Sequence, residues 1–79
     1  MKGTVVAFNQ KKGFAAIKTD GGITVAELFS CEAEIGDVIT GDLENMGDET
    51  FLNETQSEEF DAYVHGVKCS DEESAALLA

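Results

Sequence analysis

Positive charge is scarce in this chain, and so are the residues on which enzymes are usually built. Five bases stand against sixteen acids, with one histidine, two cysteines, and no proline or tryptophan in 79 residues. A formal charge of −11 means that most of the folded surface repels a phosphate backbone. The single histidine, His65, has no identifiable orienting partner, so no pairing of nucleophile and base can be assembled, and no phosphate loop is present. The chain is therefore expected to be non-enzymatic and to need no cofactor. Cys31 and Cys69 lie far apart and, with His65, lack the paired short spacings of zinc sites; no metal is expected. Asp42, Glu44, Asp48 and Glu49 crowd one turn without the ligand spacing of an EF-hand, which leaves them as a solvated acidic edge. No basic segment precedes a long apolar run, so neither signal peptide nor membrane span is expected, and the thiols are expected to be reduced in a cytoplasmic protein. The lack of proline excludes nothing at this length.

What is present points to one small domain. A chain this short sits near the size at which burial only just exceeds conformational entropy, while 43% hydrophobic content favours folding. Four of the five lysines fall within residues 1–18, which hold no acid. There, Thr4, Val5, Val6 and Phe8, then Phe14 and Ile17, flank the polar stretch Asn9–Gly13 and predict a hairpin over Lys2–Lys18. Thr19–Gly22 is a turn signal. Ile23–Phe29 predicts a third strand, with Ala26 and Leu28 inward and Val25, Glu27 and Phe29 outward, because the other register buries the Glu27 carboxylate. Ser30–Gly36 reads as one helical turn or an irregular crossover. Asp37–Glu44 predicts a fourth strand bent at Gly41, Asn45–Asp48 a turn, and Thr50–Thr55 a fifth strand. Phe60–Lys68 alternates as a sixth, with Phe60, Ala62 and Val64 on one face and Asp61, Tyr63 and His65 on the other. It either covers a sheet edge or is the true closing strand. Ser70 and Glu73 form a capping box for a short helix, marginal alone. The expected architecture is all-β: a small antiparallel barrel of five or six strands over residues 1–69, then a capping helix or tail over 70–79.

Lys2-Gly-Thr-Val, Phe8-Asn9, and Lys12-Gly-Phe14 with Ile17 resemble the opening hairpin of the cold-shock domain, including its first ribonucleoprotein motif. The resemblance covers residues 2–22 and implies an OB-type barrel that binds single-stranded RNA or DNA. It implies a site at Lys2, Phe8, Lys11, Lys12, Phe14 and Lys18, with Phe29 close by. The family stacks bases on aromatics, and here Ala7 and Ala16 stand at two of those positions, while the third strand offers no aromatic at its motif positions. Losing about three platforms withdraws roughly 3–9 kcal/mol of stacking. Nucleic-acid binding is thus expected to be weak and salt-dependent. The alternative is a protein-interaction module that docks a partner or a second copy of itself on a smoother apolar face. An acidic nucleic-acid mimic is the third reading.

Overall fold

The computed structural model describes residues 1–29 and 31–79; Ser30, the first residue of the expected crossover, lies outside the described residues. The strands are β1 (Lys2–Asn9), β2 (Phe14–Thr19), β3 (Gly22–Leu28), β4 (Val38–Thr40), β5 (Gly47–Asn53) and β6 (Glu58–Cys69), followed by helix α1 (Asp71–Leu78). They close into an antiparallel barrel in the order β1-β2-β3-β6-β5-β4. The long β6 is therefore the closing strand against β3, and β5 is inserted between β4 and β6.

Alternation sets the interior. Val5, Ile17, Ala26, Ile39, Phe51, Phe60 and Val64 point inward and are buried, and Phe51 meets Phe60 edge-on with ring centroids 5.9 Å apart. A bulge in β1 re-aims the hairpin. Val5 pairs with Ile17 but Ala7 pairs with Ala16, so Val6 is the extra residue and is 41% exposed. Beyond it Phe8 returns to the interior opposite Ala15, while Ala7 and Asn9 face out beside Ala16 and Phe14.

Two strand expectations are corrected. The fourth strand ends at Thr40 rather than Glu44, because Gly41 takes φ +154° and a Cβ there would lie 2.4 Å from the Phe51 ring. Leu43 still fills the core from the turn, held by the Thr24 hydroxyl, which donates to its carbonyl. The fifth strand begins at Gly47, taking in residues expected to form the turn. Val25 faces outward as expected, and is nonetheless fully buried. Its side chain is outward from the barrel but lies in a second apolar layer with Ala16, Ile23 and Cys69, roofed by Leu77 and Leu78 of α1. The reason is the helix, whose capping box forms as the sequence predicts: the Ser70 hydroxyl accepts from Glu73 N–H at 3.1 Å and the Glu73 carboxylate accepts from Ser70 N–H at 2.9 Å.

The crossover into β4 is pinned by one buried carboxylate. Asp37 Oδ2 accepts from the Glu34 N–H at 3.0 Å, from Asn53 Nδ2 at 2.8 Å and from Gln56 Nε2 at 2.7 Å. Burial pushes this carboxyl upward, but those three donors outweigh it and hold it below the ordinary carboxylate range.

Candidate nucleic-acid interface

The outward side of β2, β3 and β6 carries two neighbouring rows, set by the register of the strands. One row runs Ala16, Val25, Gly66; the next runs Phe14, Glu27, Tyr63. The second row is aromatic. Phe14 stacks on His65 with centroids 4.7 Å apart and planes 16° apart, and Tyr63 leans on His65 at 4.9 Å. His65 Nε2 lies 3.1 Å from Glu27 Oε1, which fixes the imidazole from the neighbouring strand. Lys12 Nζ sits 4.8 Å from the Phe14 ring centroid, within cation–π range. The result is a strip of three rings with a cation at one end.

The residues expected to bind divide accordingly. Lys12 and Phe14 come together in the strip. Lys11 and Lys18 are exposed on the same hairpin, and Lys18 follows Phe14 and Ala16 on the outward side of β2. Phe8 does not join them. The β1 bulge turns it into the barrel, where it packs against the core, so the expectation that Phe8 and Phe14 share a face is corrected. Lys2 lies at the seam of β1 with β4 and is ion-paired to Glu54 at 3.2 Å; hydrogen bonds from Thr40 and from Lys2 hold the Glu54 carboxyl below its ordinary range. Phe29 is 43% exposed, in surroundings that no lysine lines. It lines an open groove of about 610 Å³ with Asp48, Glu49, Thr50 and Asp61, which is anionic ground.

Two ring residues of the strip, Tyr63 and His65, were not among those implied by the cold-shock resemblance. Alternation along Phe60–Lys68 does put both on one face, yet nothing local says that this strand pairs with β3 and delivers them beside Phe14. Both cysteines are free; burial raises the thiol pKa of each, with Glu58 adding to it at Cys31 and Glu73 at Cys69. Among the described residues, no group of three or more His, Cys, Asp or Glu side chains is arranged to hold a metal ion, and no helix is long and apolar enough to cross a membrane. No protein-family model, curated protein or solved structure matches this chain.

Proposed function

We propose that this chain is a non-enzymatic, OB-type cytoplasmic module that binds single-stranded RNA or DNA weakly on the Phe14, His65, Tyr63 strip. The observation that carries the reading is the run of three rings on one sheet face, with Lys12 over the first and Lys11 and Lys18 on the same hairpin. Rings on β6 offset part of the stacking area withdrawn by alanine at positions 7 and 16. Bases stacked on aromatics contribute roughly 1–3 kcal/mol each, whereas a net −11 opposes any polyanion away from the lysine-rich hairpin. Binding is therefore salt-sensitive, with few phosphate contacts. Titration with a pyrimidine-rich single strand at low salt should shift the amides of Phe14, Glu27, Tyr63 and His65. Tyr63→Ala and Phe14→Ala should each weaken binding roughly 5- to 150-fold, the equivalent of about 1–3 kcal/mol. No shift at millimolar ligand sinks the reading.

A second reading has its own observation. The groove at Phe29 combines an exposed aromatic with Asp48, Glu49 and Asp61, and it continues past Cys31 to Glu58 and Glu59. This is suited to a lysine-rich protein segment rather than to a nucleic acid. A basic peptide that moves the Phe29 and Asp61 amides and leaves the hairpin still would favour it.

A further inference from the structure

The outward face of the hairpin is half occupied by the chain itself. Leu77 and Leu78 pack on the cluster of Ala16, Ile23, Val25 and Cys69, next to the aromatic strip, and Ala7 and Phe14 pack on the same cluster at its margin. The seat is made of small residues. A Cβ at Gly66 would come within 3.1 Å of Leu77 Cδ1 and 2.9 Å of Cys69 Sγ, so the glycine makes room for the helix, and Ala16 belongs to the cluster on which Leu77 and Leu78 pack. Ala16, at a position that resembles one of a family's stacking platforms, is here part of the floor beneath α1.

The end of α1 is held by the hairpin's own polar groups. Lys12 Nζ donates to the main-chain oxygens of Leu77 at 3.0 Å and Ala79 at 2.8 Å, and Asn9 Nδ2 donates to that of Leu78. The last turn of α1 has no basic residue, so Lys12 supplies the cation that the negative end of the helix dipole favours. The cation over Phe14 is thus spent on the helix, and Asp71, Glu72 and Glu73 at the other end of α1 add repulsion toward any polyanion. The attachment is slight. Eight residues do not hold a helix alone, Ser74 is its one buried residue, and the chain enters it through Lys68 at φ +53°, a left-handed conformation that lysine rarely adopts.

We propose that α1 is an autoinhibitory latch on this face. Closed, it covers the Ala16, Val25 row and holds Lys12; a single strand that occupies both rows must displace it, and phosphate takes over Lys12 from the helix carbonyls. The inference rests on the single-strand reading above and adds its regulation. Binding and latch closure are then reciprocal: whatever opens α1 tightens the strand, and the strand opens α1.

The test uses the full chain and two ways of opening the latch that leave the strip and the net charge unchanged. Leu77→Ser with Leu78→Ser removes the apolar contact; Ala75→Pro, at an exposed position, breaks the helix itself. Amide spectra report whether α1 has melted while the barrel stays folded, and a fluorescein-labelled heptathymidylate at low salt reports affinity. Each opened variant should bind about tenfold tighter than the parent or better, because the competent fraction rises, and saturating the parent with the oligonucleotide should move residues 74–78 to coil shifts. Parental affinity in a variant whose α1 has melted overturns the latch and leaves the single-strand reading standing. So does an α1 that stays docked in the saturated parent. Absence of any shift in the parent at millimolar ligand overturns the single-strand reading, and the latch with it.

Discussion

Replacing Asp37 by alanine tests whether one buried carboxylate fastens the crossover to β5. Its Oδ2 receives three hydrogen bonds, and it is 4% exposed beside Asn53 at 3%. Hydrogen bonds to a charged group contribute about 1.5–3 kcal/mol each net, and a buried donor left without its partner costs about 1–3 kcal/mol. Gln56 and the Glu34 N–H lie nearer to water and recover part of the loss, so the cost is about 3 kcal/mol. Against a total of about 4–12 kcal/mol for 79 residues, that is a large fraction, and at this size it lowers Tm by roughly 12–24 °C. The pH dependence gives a second check. The folded pKa is lowered, so the stabilisation is fully present above the unfolded carboxylate value of about 3.9 and fades as pH falls through the lower folded value. Urea unfolding of parent and Asp37→Ala at pH 7 and at successively lower pH should show the gap narrowing below about pH 4. Asp37→Asn, isosteric and uncharged, should fall between the two with little pH dependence of its own. A pH 7 gap under about 1 kcal/mol, or one that stays constant on acidification, refutes the assignment.

Phe51→Ala empties the largest fully buried side chain and should cost about 3–5 kcal/mol, read as a lower urea midpoint or as outright unfolding. Gly41→Ala should also destabilise, since its Cβ would strike the Phe51 ring; a midpoint unchanged from the parent contradicts the close approach. Lys2→Ala should leave the urea midpoint where it was, because the Lys2–Glu54 pair is solvent-exposed and such pairs contribute little.

The sequence was legible where local rules and burial agree. The hairpin, the capping box and the six alternating segments follow from turn residues, from Ser70 with Glu73, and from period-2 patterning. The boundaries of β4 and β5 were not, because Gly41 reads equally as a bend within a strand or as its end, and the proximity of Phe51 that decides between them is a long-range contact. The inward turn of Phe8 is hidden for a similar reason: one bulged residue, Val6, shifts the parity of everything after it in β1, and a β-branched run gives no sign of a bulge. Alternation gives the outward direction of Val25 but not its burial, because it assumes that one face of a sheet meets water. A second apolar layer under a helix breaks that assumption, and two leucines near the end of the chain were its one local sign.

The aromatic strip and the seat of α1 share a cause in the length of β6. A strand that ended near Val64 would close the barrel against Ala26 and Leu28, but it would offer Tyr63 without His65 and leave α1 no route to the hairpin. Twelve residues carry the strand past Gly66 to Cys69, opposite Ile23. That puts His65 between Tyr63 and Phe14, puts Gly66 under Leu77, and releases the chain where eight helical residues reach Asn9 and Lys12. The run of three rings and the helix seated beside it are therefore consequences of the same extension. A change that shortens β6 should abolish both together, whereas changes in α1 alone should separate them.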